Sequence, residues 1–135
     1  MLDKQMIGTW RLHAFRFTDE NGKPGRKEDA PKTWRIEYTA DGHMATATEQ
    51  SDGSYFSYFG DFEIKENEVF HHIELASNSD LVGTTTVRSV SFEEELLVLT
   101  ATPPVFGKPG SKASLVWKKL KSHLGLFQKL PHGQV

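Results

Sequence analysis

Four polar side chains invite a chemical reading first: Tyr38, Tyr58, His71 and Arg88. A guanidinium keeps its charge at any ordinary pH, an imidazole titrates near neutrality, and a phenol both donates and accepts. Converging in an otherwise apolar pocket, they would orient a carboxylate, an enolate or a phenolic oxygen. Arg88 alternates with Val90 and Phe92 on one side of a β-prone run, which predicts that it points inward. Met44, Phe62 and Ile73 fall where they would line such a pocket, although aromatic and methionine stripes on a strand also serve as plain core. These seven are the candidate ligand-binding residues. The pattern assigns no catalytic residue.

Other chemistries lack their residues. The sequence holds six histidines, but His71 and His72 are adjacent in a predicted strand and must face opposite ways, so they cannot share an ion. A site from His13, His43 and His71 would need three strands to converge, and no metal-ligand spacing supports it. There is no Gly-x-Ser-x-Gly elbow for a nucleophile and no Walker or Gly-x-Gly-x-x-Gly loop for phosphates. No metal or cofactor is therefore expected. Asp61 and Glu63 share a strand face and could be read as paired carboxylates, but cross-strand charge pairing on an outer face is the better reading.

The elements that would position these residues are short β-prone runs separated by turn chemistry, with no sustained helical period. The first, Ile7 to Thr18, carries Trp10, Leu12 and Ala14 on one face and Phe15 and Phe17 on the other, a conflict that a bulge partway along could resolve. Lys23 to Lys32 is polar, holds Pro and Gly, and reads as a surface loop, either a lid or an inert connection. Trp34, Ile36 and Tyr38 alternate with polar residues, and Asp41-Gly42 turns the chain into His43 to Glu49. Tyr55 to Lys65 follows, with Gly60 marking a bend or a close backbone approach. Val69 to Leu75, Gly83 to Phe92, Leu96 to Thr102 and Lys112 to Lys119 complete the set, with Ser77 to Asp80 and Pro103 to Gly110 as loops.

About eight antiparallel strands in up-and-down order predict an all-β protein, a single closed barrel of the size that side chains fill or that one small ligand occupies. At 135 residues a single core is expected, with the barrel over 1–120 and a tail over 121–135. Leu124, Leu126, Phe127 and Leu130 in that tail suit a short helix over one barrel end or a partner contact, so a homodimer is one expectation. With 16 basic and 18 acidic residues interspersed, no positive stripe offers itself to nucleic acid. The cluster Lys118, Lys119 and Lys121 reads as a solvated strand end. Absence of cysteine removes disulfides, thiol nucleophiles and thiolate metal sites. No apolar run reaches the length of a membrane span and Met1 to Met6 lacks a secretory core, so a cytoplasmic location is expected.

Taken in order, Gly8-Thr9-Trp10, Tyr38 to Met44, Tyr58 with Gly60 and Phe62, His71-His72, Val82-Gly83-Thr84 with Arg88, Leu97 and Leu99 before Pro103-Pro104, and Trp117 resemble the lipocalin-like domain family of small microbial proteins. That family is related to the lipocalin and calycin barrels. The resemblance spans Ile7 to Lys119 and implies a small barrel with a pocket, in a family most of whose members have no assigned activity. It also implies that Arg88 could stack on Trp10 or Trp117 and bond backbone carbonyls, closing one barrel end.

Two functions follow as expectations. The first is an intracellular barrel that binds a small apolar or aromatic molecule. The second, implied by larger lipocalin-like proteins that act as cyclases, is a cofactor-free cyclase or isomerase working by substrate positioning. An interaction module using the outer face or the tail is a third. Arg88 stands between a structural and a binding role.

Overall fold

The computed structural model describes residues 2–18, 24–29, 33–50, 52–101 and 112–122. A five-residue helix, α1 (Leu2–Met6), precedes nine strands: β1 (Gly8–Thr18), β2 (Pro24–Asp29), β3 (Trp34–Tyr38), β4 (His43–Glu49), β5 (Tyr55–Lys65), β6 (Glu68–Ala76), β7 (Thr85–Glu93), β8 (Leu96–Ala101) and β9 (Lys112–Lys119). Successive strands from β3 to β9 pair antiparallel, and β1 pairs with both β3 and β9. Eight strands thus close an up-and-down barrel, which leaves no free edge among them.

The first half of β1, Gly8 to Arg11, pairs with β3, whereas Ala14 to Thr18 pairs with β2. β2 therefore continues the line of β3 along one edge of β1. The surface loop expected from Lys23 to Lys32 is corrected here: Pro24–Asp29 is a strand, and the rest of that stretch lies outside the described residues. Its sequence shows no alternation. Pairing follows instead from the unpaired backbone that β1 presents beyond β3.

The facing conflict in β1 is resolved by a bulge. Leu12 opposes Trp117 and Ala14 opposes Val116, so His13 is the extra residue. Trp10, Leu12, Phe15 and Phe17 consequently all face inward, while Ala14 turns outward to meet Val98 and Val116 in a small second cluster. A second bulge lies in β6, where Gly60 pairs with Ile73 and Phe59 with Leu75, leaving Glu74 extra. A Cβ at position 60 would collide with the His72 carbonyl oxygen, so the close approach expected there requires glycine. Gly42, at φ +94°, makes the turn between β3 and β4.

The interior is packed unevenly. At one end, where β3 ends, β6 and β8 begin and α1 abuts, Met6, Trp10, Val69, Leu97 and Trp117 are all buried, and Trp10 Nε1 donates to the Met6 carbonyl at 2.8 Å. Each such side chain contributes about 1.5–3 kcal/mol through burial. We call this end the floor. Toward the opposite end, the mouth, Phe15, Phe17, Trp34, Phe56 and Leu115 are only half-buried, although they sit at inward positions. The helix α1 was not foreseen from the sequence, and the expected Ser77 to Asp80 loop contains a 3-10 turn over Ser79–Leu81. The Pro103 to Gly110 loop and the expected tail helix lie outside the described residues.

Candidate functional site

Between floor and mouth, alternation along three strands brings three of the expected polar residues together. Tyr38 ends β3, Tyr58 is central in β5 and His71 is central in β6, each at an inward position. The Tyr38 hydroxyl lies 2.7 Å from His71 Nε2, and the Tyr58 hydroxyl lies 2.8 Å from His71 Nδ1. Tyr38 and His71 are 1% and 2% exposed, whereas Tyr58 is half-buried on the mouth side. Phe62 packs edge-on against Tyr38 with ring centroids 4.8 Å apart. Met44 and Ile73 are buried in the walls on either side of Gly60, to which both pair, so they belong to the packed half.

Burial shapes the electrostatics. It pushes the Tyr38 phenol well above its ordinary range, an effect that Tyr58 adds to and Arg88 opposes. Tyr58 is raised by burial too, with Thr86 and Arg88 pulling back. His71 is driven down to about 3, first by burial and then by the charges of Arg88 and His72. The imidazole is therefore neutral near pH 7 and carries one proton.

Hydrogen-bond counting fixes where that proton sits. Tyr38 is fully buried, and among the described residues its hydroxyl meets only His71 Nε2. Were Nε2 to donate, the Tyr38 O–H would have no acceptor, which costs about 1–3 kcal/mol in a dry site. Tyr38 accordingly donates to Nε2, His71 Nδ1–H donates to Tyr58, and the Tyr58 proton is left to donate elsewhere. Thr86 stands directly opposite His71 in the β6–β7 pairing. Its Oγ1 is buried and close enough to influence Tyr58, but completes no hydrogen bond of good geometry among the described residues.

Arg88 occupies the inward position two residues beyond Thr86 and opposes Val69. Its charge reaches Tyr38, Tyr58 and His71. Nη1 donates to the Val87 carbonyl at 2.8 Å, beyond the last β7 residue paired with β8. Stacking on Trp10 or Trp117 is the implied structural role for Arg88; the cation found over Trp10 is Lys119, 5.6 Å from the ring centroid, and among the described residues no cation–π contact joins Arg88 to either ring. A carbonyl bond survives from the structural role, and the tryptophan contact does not.

Outside the barrel, the remaining chemistry reads as surface pairing. His43 lies 2.7 Å from Asp61, and His72 lies 2.7 Å from Glu63, so both carboxylates are engaged across strands as expected. His13 and His43 are exposed while His71 is buried inside, and the three do not converge. Sequence reasoning missed Thr86, although alternation with Arg88 would have found it. It also missed an outer groove of about 280 Å³ beside His43, Phe59 and Glu74, which depends on a bulge that periodicity does not show.

With this geometry in hand, comparison with known proteins is informative. The family model of the lipocalin-like domain matches residues 47–120, more than half of the sequence, and the chain belongs to that family. A lipocalin-like protein from Bacteroides uniformis ATCC 8492 superposes with a TM-score of 0.54 at 16% identity, covering 86% of this chain and 99% of that one. An uncharacterized protein from Bacteroides eggerthii DSM 20697 gives 0.53 at 14% identity, covering 85% and 99%. At these identities the likeness speaks to the fold alone. No curated protein matches the sequence. Among the described residues no helix is long and apolar enough to cross a membrane.

Proposed function

We propose that this protein binds a small apolar or aromatic molecule in the mouth half of its barrel, within the cytoplasm. The supporting observation is the half-burial of inward aromatics: Phe15, Trp34, Phe56 and Tyr58 face the interior yet keep accessible surface, as the walls of a cup do. The floor of this same barrel buries Trp10 and Trp117, although Phe62 and Phe92 on that side are half-buried too. Native mass spectrometry of the protein purified from its own host tests the proposal. A reproducible adduct of small-molecule mass is expected, and an empty barrel together with no binding across a broad set of apolar probes would refute it.

The hydrogen-bonded chain from Tyr38 through His71 to Tyr58 favours a second reading, a cofactor-free cyclase or isomerase. A phenol held in place by a neutral imidazole can polarise a bound carbonyl by hydrogen bonding. Deuterium incorporation from solvent into a bound enolisable ketone would reveal such chemistry. Incorporation at the buffer rate removes it.

A further inference from the structure

The described inward side chains of β3 to β8 include one charge and no counter-charge. Along β3 to β8, Arg88 is the one charged side chain at a described inward position. Glu37, Glu49, Asp61, Glu63, Glu68 and Glu93 alternate outward, and Glu74 sits on the bulge. Two of those carboxylates are held by outer histidines. A guanidinium has five N–H donors, and the Val87 carbonyl takes one of them. A partly desolvated cation with its fork unfilled favours an anion that can accept two parallel bonds.

Because Tyr38 donates to His71 and His71 donates to Tyr58, the Tyr58 O–H is left to donate to the neighbouring Thr86 hydroxyl or to a ligand. Among the described inward hydroxyls, Thr48 donates to the Phe56 carbonyl and keeps lone pairs that can accept, and Thr86 can serve as donor or acceptor. The asymmetry is one of charge: among the described inward side chains of β3 to β8, Arg88 is cationic and none is a carboxylate.

From this asymmetry we infer that the ligand is an apolar or aromatic carboxylic acid in its ionised form, its carboxylate held by Arg88 and Tyr58 and its apolar body lying along Phe15 and Trp34 toward the mouth. The inference rests on the binding reading above and narrows it to a ligand class. Arg88 and Tyr58 together set specificity, while the aromatic wall supplies affinity that an uncharged analogue would share.

Isothermal titration with 1-naphthaleneacetate and with 1-naphthaleneacetamide, nearly the same shape but uncharged, separates the two levels. The acid is expected to bind roughly tenfold to a hundredfold more tightly, as charge-assisted hydrogen bonds imply. Arg88→Met should abolish that preference while leaving amide binding within about twofold. Tyr58→Phe, which keeps the ring and the cation, should reduce the preference in part, and it carries the test if Arg88→Met fails to melt as a folded protein. Equal binding of acid and amide to the natural sequence overturns the inference and leaves the apolar binding site standing. Failure of both probes to bind overturns the inference and the reading beneath it. Loss of acid and amide binding alike in folded Tyr58→Phe also counts against it, since the residue would then be shaping the cup rather than selecting the charge.

Discussion

The two halves of this barrel interior are built from similar residue types yet differ in what they can do. At the floor, Trp10, Leu97, Val69 and Trp117 interlock under Met6 and are buried. At the mouth, Phe15, Trp34 and Phe56 occupy equivalent inward positions and are half-buried. Aromatic content therefore does not distinguish core from binding wall. One difference is what closes the floor: α1 seals it through Met6, while the Tyr38–His71–Tyr58 chain lies between it and the half-buried aromatics of the mouth.

Truncation should expose the difference most strongly. Trp10→Ala is expected to cost about 3–5 kcal/mol, the range for a large core side chain whose loss leaves a cavity and here also a bond to Met6. Trp34→Ala should cost only about 1–2 kcal/mol, because part of that ring is already wet. Equilibrium urea denaturation of the two variants measures both, and equal losses would break the distinction.

Next in size is the acid response of the boundary. Burial holds His71 near 3 against an ordinary 6.5, so the unfolded chain binds more protons between those values. The associated stability is present above pH 6.5 and is lost as pH falls toward 3, a change on the order of 4 kcal/mol. Carboxylates held low, such as Glu63, add losses of the same sign at lower pH. Denaturation from pH 7 to 4 should therefore show a steeper fall in the natural sequence than in His71→Gln, and parallel curves would contradict the burial of a neutral imidazole.

A smaller contrast tests the direction of the hydrogen bonds. Tyr38→Phe leaves the buried Nε2 lone pair without a donor and should cost about 1–3 kcal/mol. Tyr58→Phe removes the acceptor of the buried His71 Nδ1–H and should cost a comparable amount, about 1–3 kcal/mol. The two ring nitrogens separate the directions: nitrogen NMR shifts of His71 should place the proton on Nδ1, and a proton on Nε2 would contradict the assignment.

The smallest effect lies outside. His43 is raised, chiefly by its bond to Asp61 and then by Asp41, so it should titrate above 6.5 in the folded protein and return toward it in Asp61→Asn. Any stability it contributes is present below pH 6.5 and fades as pH rises through the folded value, opposite in sign to His71. A proton NMR titration of the two rings displays the contrast directly.

Much of the barrel was legible because strand alternation reports facing without any knowledge of partners. Trp34, Ile36 and Tyr38 against Arg35 and Glu37, or His71 against His72, divide between inside and outside as the two-residue period requires. Even the conflict in β1 pointed to its own remedy at His13. What alternation could not give depends on pairing and on volume. β2 has no apolar pattern and exists because β1 offers it backbone groups, and α1 is five residues placed by the cavity that Met6 fills. Likewise Met44 and Ile73 were indistinguishable in sequence from Tyr58, yet Gly60 draws them into the packed wall. Arg88 could be placed inward by its period, but which cation lies over Trp10, Lys119 as it proves, depends on pairing across β1 and β9.

The proposed division into a packed floor and a ligand-binding mouth can be tested directly through the three tryptophans, since Trp10 and Trp117 report the floor and Trp34 the mouth. Their indole N–H signals are resolvable in a nitrogen-correlated proton NMR spectrum and can be assigned by single Trp→Phe variants. On titration with 1-naphthaleneacetate, the Trp34 signal should shift progressively to saturation while those of Trp10 and Trp117 stay in place. Shifts at Trp10 and Trp117 with Trp34 unmoved, or no shift at any of the three when binding is detected by calorimetry, would contradict the account.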